Sequence, residues 1–379
     1  MFKKLGFAVL ALALIAFPLA GCGGGDDDVI RIGVYEPMTG VNAAGGEMTV
    51  EGIELANELF PEILGKQIEI IVVDNKSEPQ EAANAVSRLI DRDNVHAIIG
   101  SYGSSLSMAG GPVAEEAGIP VVGCSPTNPL VTLGNDYYFR VCFIDPFQGT
   151  VMANYAVNEL GAKTAAIIKD VTQDYSVGLS NFFKQAFVEL TGDADSIVAE
   201  INYNTGDQDF TPQLQTAKAA NPDVIFAPGN YAESALLIKQ AREADITVPI
   251  LGGDTWEAPD FLDVGGDAVE GVVYSTHFTA QAPVTARSNE FLDAYRNKFG
   301  AEANAFAALG YDAYLVILDA IERANSHDPG DIRDALADTQ IFEGATGIIT
   351  LDENGDATKS AIINTVENGE FVYLTTVHP

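Results

Sequence analysis

Short β-rich runs alternate with helical stretches along the chain from residue 29 onward. The predicted strands are residues 29–35, 68–74, 97–100, 120–124, 164–170, 197–203, 224–228 and 249–252. The predicted helices are residues 49–59, 79–91, 104–117, 175–190, 210–219 and 232–244, followed later by 303–324. Parallel strands need long crossover connections, and helices of this length supply them on both faces of a sheet. The sequence therefore predicts an α/β fold built of doubly wound parallel sheets.

The length of the chain predicts two domains. About 358 residues remain after the leader described below, which is more than one hydrophobic core usually supports. We expect lobe one to comprise residues 29–145 and 279–345, and lobe two to comprise residues 146–278 and 346–379. The pair Asp145-Pro146 is interpreted as a turn within the segment 138–148, where the chain crosses between the lobes.

The start of the chain has the features of a bacterial lipoprotein signal peptide. Lys3 and Lys4 provide positive charge, an apolar run follows, and small residues precede Cys22. This arrangement predicts removal of residues 1–21 and lipid attachment to Cys22, with residues 22–28 as a flexible polar tether. The alternative is an uncleaved anchor helix, but an apolar run of about fourteen residues is short for a membrane span. The protein is therefore expected to be exported and held by lipid at the outer face of the cytoplasmic membrane or in the periplasm.

The mature chain is strongly acidic. Two of the 20 basic side chains lie in the leader, which leaves 18 basic against 54 acidic side chains and a net charge of −36. Nucleic acid is excluded as a partner because phosphate binding requires a basic surface. Such acidity occurs in proteins from saline surroundings and in generally acidic proteomes, and the sequence leaves both explanations open.

Two cysteines remain besides Cys22. Cys124 and Cys142 both lie among apolar residues. An exported protein with two cysteines admits one disulfide, but isolated thiols in apolar surroundings are as often buried and free. The sequence leaves both alternatives open.

Two loops rich in hydroxyl groups follow predicted strands of the first lobe. Residues 101–105 (Ser-Tyr-Gly-Ser-Ser) lead into a helix that begins near Ser104, and residues 124–129 (Cys-Ser-Pro-Thr-Asn-Pro) follow the next strand. In open parallel sheets, ligands bind beyond the carboxyl ends of the strands. Hydroxyl groups and a helix N-terminus both donate hydrogen bonds to a carboxylate, so these loops are candidates for holding one. Helix capping by Ser104 and a turn at Pro126 would explain the same residues without a ligand.

The sequence carries no motif for an enzyme, a metal site or a nucleotide site. The four histidines are scattered, and no phosphate-binding glycine motif follows the first strand. Residues 352–356 (Asp-Glu-Asn-Gly-Asp) have some features of a calcium loop, but Ile363 stands where a bidentate glutamate is required. A β-turn is the better interpretation of that segment. We therefore expect no catalytic residue, no cofactor and no metal.

Nine short segments resemble, in their order and spacing, the branched-chain amino-acid-binding family of ABC transporters. They are residues 30–34 (Ile-Arg-Ile-Gly-Val), 37–40 (Pro-Met-Thr-Gly), 64–68, 98–100, 117–121, 125–129 (Ser-Pro-Thr-Asn-Pro), 209–211, 240–244 and 251–254 (Leu-Gly-Gly-Asp). The resemblance covers nearly the whole mature chain. It implies a periplasmic-binding-protein type I fold, in which two α/β lobes joined by three strands close on a small ligand.

The resemblance also implies a ligand site formed by both lobes. Ser104 takes the position of a hydroxyl donor to the ligand's α-carboxylate, while Ser125 and Thr127 would hold the carboxylate and the ammonium together. From lobe two, Tyr175 matches an aromatic side chain that covers the ligand. Asp254 falls where the family places the acid that pairs with the ammonium. A desolvated ion pair of this kind needs a full set of hydrogen bonds.

Three further residues are candidates for the wall of the site. Tyr231 matches a second aromatic position, although a one-residue gap leaves its neighbour Asn230 as the alternative. Trp256, the only tryptophan, either lines the site or simply packs in the core. Phe278 is a weaker candidate for the pocket wall.

The chain departs from the family pattern in several places. Gly45 stands where the family often has an aromatic side chain, which affects the size of the apolar pocket. Asp254 replaces the commoner glutamate and is shorter by one methylene. Ser77 and Gly103 stand where some relatives have a disulfide-bonded pair of cysteines.

Two functions are compatible with these observations. The first is the solute-capture component of an ABC importer, a monomer that takes up a small α-amino acid, aliphatic or branched-chain, and delivers it to membrane permease subunits. The second is an extracellular sensor with the same fold that reports its ligand to a membrane receptor. The chain has no signalling domain of its own, which favours transport. Relatives of the family also take amides, urea-like compounds or aromatic acids, so a solute other than an amino acid is a further alternative.

Overall fold

The structure is a computed structural model that describes residues 29–379. The predicted signal peptide (residues 1–21) and the predicted tether with Cys22 (residues 22–28) lie outside the described residues. Within residues 29–379, no helix is both long enough and apolar enough to cross a membrane.

The described residues form two large β-sheets and a small hairpin. The strands are β1 (Val29–Val34), β2 (Glu62–Ile63), β3 (Lys66–Val72), β4 (Ala97–Ile99), β5 (Val121–Gly123), β6 (Tyr138–Arg140), β7 (Ala165–Asp170), β8 (Ile197–Tyr203), β9 (Val224–Phe226), β10 (Ile250–Gly252), β11 (Val273–Thr276), β12 (Phe342–Gly344), β13 (Gly347–Ile349), β14 (Ala361–Glu367) and β15 (Glu370–Val377). The first sheet has the order β2-β3-β1-β4-β5-β6, and the second has the order β15-β14-β11-β10-β9-β7-β8. Within these two sheets, strands pair in parallel except β2 with β3, β11 with β14 and β14 with β15. The predicted α/β fold with two parallel-sheet lobes is confirmed.

Helices alternate with these strands along the chain. They are α1 (Ala43–Leu59), α2 (Pro79–Asp91), α3 (Ser104–Ala117), α4 (Asp145–Asn154), α5 (Asp174–Thr191), α6 (Thr211–Ala220), α7 (Tyr231–Glu243), α8 (Pro259–Gly265), α9 (Ala286–Phe299), α10 (Ala305–Ala324) and α11 (Pro329–Ala337). The bounds of α2 and α3 are those predicted from the sequence. Helix α1 begins six residues earlier than predicted, because its first turn contains glycines that weaken the helical pattern.

The long helix α10 is the centre of the first lobe's core. It is buried over most of its length and packs against α1. Gly52 of α1 makes this packing possible, since a Cβ atom at that position would lie 1.9 Å from the carbonyl oxygen of Ala307. The close approach of the two helices explains why α1 tolerates glycine in its interior.

The segment 138–148 differs from the prediction. Residues Tyr138–Arg140 form β6 at the edge of the first sheet, and α4 begins at Asp145 with Pro146 in its first turn. The interpretation of Asp145-Pro146 as a turn was therefore wrong. Proline is favoured in the first turn of a helix, where its missing N–H has no partner to lose. The chain passes from the first sheet to α4 through the four residues in between.

The chain passes between the two lobes twice more. Residues 277–285 connect β11 of the second sheet to α9, and residues 350–360 connect the β12–β13 hairpin to β14. The predicted lobe boundary after residue 345 falls inside this hairpin, because β12 pairs with β13.

Two local predictions concern the cysteines and the acidic segment 352–356. Cys124 and Cys142 are both buried and free, which matches the alternative without a disulfide. In the acidic segment, the Gly355 N–H donates to the Asp352 carbonyl oxygen at 3.0 Å, which closes a β-turn.

Candidate ligand-binding site between the lobes

An enclosed cavity lies between the lobes, at the carboxyl ends of the parallel strands of both sheets. In this closed form its volume is only about 10 Å³, which is about the space that one water molecule needs. The lining residues are Asn42, Tyr102, Gly103, Ser104 and Ser125 from lobe one, and Gln173, Tyr175, Asn230, Asp254 and Thr255 from lobe two. Each of them follows the end of a parallel strand, which is where such folds bind ligands.

Lobe one presents hydroxyl groups to the cavity from two neighbouring loops. Ser104 is the first residue of α3, and its Oγ accepts a hydrogen bond from the Asn128 N–H at 3.2 Å. The residue at the N-cap position is Gly103, so capping by Ser104 does not explain its presence. The Ser125 Oγ is buried and has no hydrogen-bond partner. A buried hydroxyl without a partner is costly, and a bound ligand would supply the missing partner.

Thr127 lies behind the lobe-one side of the cavity and does not line it. Its side chain is fully buried, its Oγ1 has no hydrogen-bond partner of standard geometry, and it is not among the residues that line the cavity. Its carbonyl oxygen accepts from the Asp145 N–H at 2.9 Å. Thr127 therefore joins the ligand-facing loop of lobe one to the first turn of α4.

Lobe two presents one carboxylate, Asp254. Its Oδ1 accepts hydrogen bonds from Gln148 Nε2 at 2.7 Å and from the Tyr175 hydroxyl at 2.9 Å. Gln148 Nε2 also contacts Ser275 Oγ at 2.9 Å, which fixes the amide. Asp254 is 2% exposed, so its carboxylate is held in one orientation and away from water.

The other oxygen of Asp254 faces a histidine. His277 Nε2 lies 3.1 Å from Asp254 Oδ2, and the ring stacks on Phe143 with centroids 3.8 Å apart. Burial lowers the pKa of His277, so the neutral imidazole is favoured. With its proton on Nε2, His277 donates to Asp254, and its buried Nδ1 has no partner.

Residues of lobe two also bond to the turn before α1 and to the first turn of α1 in lobe one. Asn230 Nδ2 donates to Asn42 Oδ1 at 2.8 Å. The Tyr231 hydroxyl donates to the Val41 carbonyl oxygen at 2.9 Å and accepts from the Ala44 N–H at 3.3 Å. Asn230 therefore lines the cavity, whereas Tyr231 bonds across the lobes outside it.

Other hydrogen bonds between the lobes show that the structure is closed. Asn128 Nδ2 donates to the Asp174 carbonyl oxygen at 2.9 Å, and the Asp174 N–H donates to Ser105 Oγ at 3.0 Å. On another side of the interface, Glu257 Oε1 accepts from the Ala305 N–H at 2.9 Å, at the N-terminus of α10. These bonds enclose the cavity on several sides.

Gly45 has no side chain, and the space beside it is filled by the ring of Tyr102. A Cβ atom on Gly45 would lie 2.4 Å from Cε2 of Tyr102, so the Tyr102 ring occupies the adjoining space. That ring packs edge-on against Phe306, with centroids 5.1 Å apart. An aromatic wall is therefore present, but it comes from the residue before Gly103.

The loop before α1 is tied down without a disulfide. Ser77 Oγ donates to the Thr39 carbonyl oxygen at 2.8 Å and accepts from the Asn42 N–H at 3.1 Å. This hydroxyl connects the loop after β3 to the loop after β1, at the position where some relatives have a cysteine.

A buried arginine supports the loop that carries Ser125. Arg140 is fully buried and donates to the carbonyl oxygens of Pro126 and Asn128, both at 2.8 Å. Its Nε lies 2.6 Å from Asp356 Oδ1. Asp356 belongs to the segment that connects the β12–β13 hairpin to β14, so Arg140 links the ligand-facing loop to a crossing between the lobes.

The two remaining sequence candidates do not line the cavity. Trp256 is fully buried and stacks on Phe261, with ring centroids 5.0 Å apart, which is a packing role. Phe278 packs against Phe291 in the core of lobe one, with ring centroids 5.9 Å apart.

Several cavity residues were not identified from the sequence. Asn42, Gln173 and Thr255 follow strand ends and could have been found by that criterion alone. Gln148 carries no such signal, because it comes from the first turn of α4, whereas His277 directly follows the parallel strand β11 and meets the same criterion. Only the folded chain brings them to Asp254.

Two α/β lobes that enclose a polar cavity, with a buried carboxylate on one side and hydroxyl groups without partners on the other, define a two-lobed binding protein for a small molecule. A family model described as "Periplasmic binding protein" matches residues 29–370. The chain therefore belongs to the periplasmic binding protein family, with the type I fold that the sequence segments implied.

Individual relatives are consistent with this assignment. The chain is similar to a solved leucine binding protein, LivK, of Thermotoga maritima MSB8, with 47% identity, a TM-score of 0.90 and coverage of 92% of this chain and 99% of that chain. It is also similar to LivJ of Streptococcus pneumoniae, a branched-chain amino acid transporter substrate binding protein solved with isoleucine, with 34% identity, a TM-score of 0.87 and coverage of 93% and 100%. A Pseudomonas aeruginosa leucine-, isoleucine-, valine-, threonine- and alanine-binding protein is 28% identical over 356 residues, 92% of this chain and 91% of that protein.

Proposed function

We propose that this protein is the extracytoplasmic solute-binding component of an ABC importer and that it captures a small α-amino acid between its lobes. The observation that carries the proposal is the pairing of the buried Asp254 carboxylate with the unpartnered Ser125 hydroxyl on the opposite wall. A zwitterionic amino acid carries an ammonium group, which complements the Asp254 carboxylate, and a carboxylate group, which complements the hydroxyl groups of the opposite wall. The similarity to leucine- and isoleucine-binding proteins favours an aliphatic or branched-chain amino acid.

The ligand's α-carboxylate is assigned to lobe one. Ser104 and Ser125 provide hydroxyl groups there, Thr127 provides a further hydroxyl from behind the wall, and the N-terminus of α3 provides the positive end of its dipole. Charge-assisted hydrogen bonds of this kind are about twice as strong as neutral ones. They would offset the loss of hydration of a buried carboxylate.

The ligand's ammonium is assigned to Asp254, with Tyr175 beside it. The hydrogen bonds from Gln148, Tyr175 and His277 hold the Asp254 carboxylate in place before the ligand arrives. Prior orientation lowers the entropic cost of binding. The shorter reach of aspartate compared with glutamate leaves space for a water molecule or for a ligand that sits deeper in lobe two.

Binding and closure are coupled in this proposal. A ligand that contacts both lobes stabilises the closed form by its differential affinity for that form. The bonds from Asn230 and Tyr231 to the turn before α1 add to that stability once the lobes meet. The closed form then docks on the permease subunits of the importer.

The finer points of location and assembly are part of the same proposal. Lipid on Cys22 would tether the protein to a membrane through residues 22–28, as a monomer without a cofactor and without catalytic activity. The acidic surface is suited to solubility rather than to binding an anionic membrane surface. An extracellular sensor of the same fold is the alternative, distinguished by whether permease and ATPase genes or a receptor gene accompany this one.

Calorimetric titration tests the proposal directly. Residues 26–379, stripped of endogenous ligand, are titrated with leucine, isoleucine, valine, alanine and non-amine carboxylic acids at low and high salt. We expect micromolar or tighter binding of at least one amino acid, weakened about 10- to 100-fold in Asp254→Asn because a charge-assisted hydrogen bond is lost. The matched control is Asp260→Asn, an exposed acid a few residues away, which should bind as the unmodified protein does. Binding of an amide or a carboxylic acid with no response to amino acids would overturn the ammonium role of Asp254.

A further inference from the structure

One hydroxyl group in the cavity is left over after the α-carboxylate and the ammonium are assigned. The lining side chains that take no part in those two assignments are Asn42, Tyr102, Gln173, Asn230 and Thr255. Four of them have partners within the protein: Asn42 and Asn230 bond to each other, Gln173 donates to Thr205, and Thr255 donates to the Gly229 carbonyl oxygen. Among these five lining side chains Tyr102 is the exception, because its buried hydroxyl has no hydrogen-bond partner.

The Tyr102 ring is fixed in place. Its backbone N–H donates to Glu36 Oε2 at 2.7 Å, and its ring packs edge-on against Phe306. The absence of a side chain at Gly45 gives the ring its space, and the residue is 1% exposed. The hydroxyl therefore cannot turn toward solvent to find a partner in the closed form.

A fixed, buried hydroxyl without a partner discriminates between ligands. A site that offers a hydrogen bond rejects a ligand that cannot complete it, because the polar group of the protein is then left unpaired. Since the carboxylate and the ammonium of an amino acid are already assigned, the remaining part of the ligand is its side chain.

We infer that the Tyr102 hydroxyl hydrogen-bonds an oxygen on the side chain of the bound amino acid, so that the site favours threonine over valine. Threonine and valine have nearly the same shape, and they differ by a hydroxyl in place of a methyl group. This inference rests on the proposed function, since it takes the ligand to be an α-amino acid. Tyr102 is then a specificity-determining residue, which ranks threonine above the aliphatic amino acid of the same shape.

The test compares two isosteric ligands in one variant. Threonine, valine and leucine are titrated calorimetrically into the unmodified protein and into Tyr102→Phe. We expect the unmodified protein to bind threonine more tightly than valine, and Tyr102→Phe to lower the ratio of threonine to valine affinity about three- to tenfold, as the loss of one neutral hydrogen bond predicts. Phenylalanine removes an unpaired buried hydroxyl, so the ligand-free thermal midpoint should be equal or higher.

Two further variants separate this role from a general one. Tyr231→Phe should weaken threonine and valine equally, because the Tyr231 hydroxyl bonds to lobe one and not to the ligand. Tyr137→Phe, on the outside of lobe one, should change neither affinity. A threonine-to-valine ratio that is the same in Tyr102→Phe as in the unmodified protein would overturn the inference while the proposed function stands. Failure of every amino acid to bind the unmodified protein would overturn the proposed function itself.

Discussion

The hydroxyl of Tyr231 lies 2.9 Å from the carbonyl oxygen of Val41, a residue of the opposite lobe. The same hydroxyl accepts a hydrogen bond from the Ala44 N–H. Tyr231 begins α7, so one phenol group bonds both to the turn that precedes α1 and to the first turn of α1 in lobe one. Because the contact joins the lobes, it contributes to the stability of the closed form and to nothing in the separated lobes.

Removal of this hydroxyl should speed ligand release. In Tyr231→Phe, loss of both cross-lobe hydrogen bonds, at about 1 kcal/mol each, should weaken the affinity for every amino acid about 30-fold, mainly through faster dissociation. Stopped-flow measurement of the dissociation rate tests this, with Tyr137→Phe as the control. A dissociation rate equal to that of the unmodified protein would show that the contact does not limit opening.

The packing of Tyr102 on Gly45 should be visible as energetic coupling. In Gly45→Ala the new methyl group meets the Tyr102 ring, and we expect the free energy of unfolding to fall by about 1–3 kcal/mol. In a Tyr102→Ala background the ring is absent, so the same change at Gly45 should cost little. Urea denaturation of the two single variants and the double variant measures the coupling. Equal costs in both backgrounds would contradict the assignment of this close contact.

The stability of the protein should fall as pH rises through the neutral range. Burial raises the pKa of Asp145 to about 8, and the Thr127 hydroxyl offsets this only in part. Burial also raises the pKa of Glu257 to about 7. Between pH 4 and pH 8 the folded protein therefore holds protons that the unfolded chain releases, so its stability is greatest at the acidic end of this range.

The variant Asp145→Asn isolates this effect. The amide resembles the protonated acid at every pH, so the thermal midpoint of Asp145→Asn should fall less between pH 5 and pH 8 than that of the unmodified protein. Each kcal/mol by which the free energy of unfolding of the unmodified protein falls more than that of Asp145→Asn should appear as a difference on the order of 2–4 °C in the thermal midpoint. Asp136→Asn, at an exposed position, serves as the control for a general loss of negative charge. Parallel pH profiles for Asp145→Asn and the unmodified protein would argue that Asp145 is ionised in the fold.

Arg140 should matter for binding as well as for folding. Lysine keeps the charge in Arg140→Lys but cannot reach Pro126, Asn128 and Asp356 together. We expect the free energy of unfolding to fall by about 2–4 kcal/mol, because buried partners are left unpaired. The affinity for all amino acids should fall too, since the loop that carries Ser125 loses its support. Arg92→Lys, at an exposed position, should change neither quantity, and an unchanged affinity in folded Arg140→Lys would remove Arg140 from the binding mechanism.

The regular parts of this fold were predictable because their sequence patterns are strong. Helix α2 has a clear apolar face formed by Ala82, Val86 and Leu89, and its bounds were predicted correctly. Strand β6 has only three residues, which is too short for a recognisable pattern, and α4 begins with a pair of residues that is also common in turns. In both cases the surrounding tertiary structure, rather than local preference, decides the conformation.

The candidate site was predictable where it depends on position along the strands. Ser104, Ser125, Tyr175 and Asp254 all follow strand ends and line the cavity. The contact of Gln148 with Asp254 was not predictable, because the two residues are 106 positions apart in sequence and Gln148 lies in a helix. The Tyr102 ring occupies the space beside Gly45. The sequence indicated only that an aromatic side chain is missing at Gly45, and not that Tyr102 supplies one.

The two hydrogen bonds of Ser77 make the loop before α1 independent of the redox state of its surroundings. A disulfide at this position would form only in an oxidising compartment, whereas a hydroxyl group bonds to Thr39 and Asn42 in any compartment. With Cys124 and Cys142 buried as free thiols, the described part of the chain has no covalent cross-link to lose. The lobes can therefore mature in the absence of an oxidant or a disulfide isomerase, and a reducing agent should leave ligand capture intact.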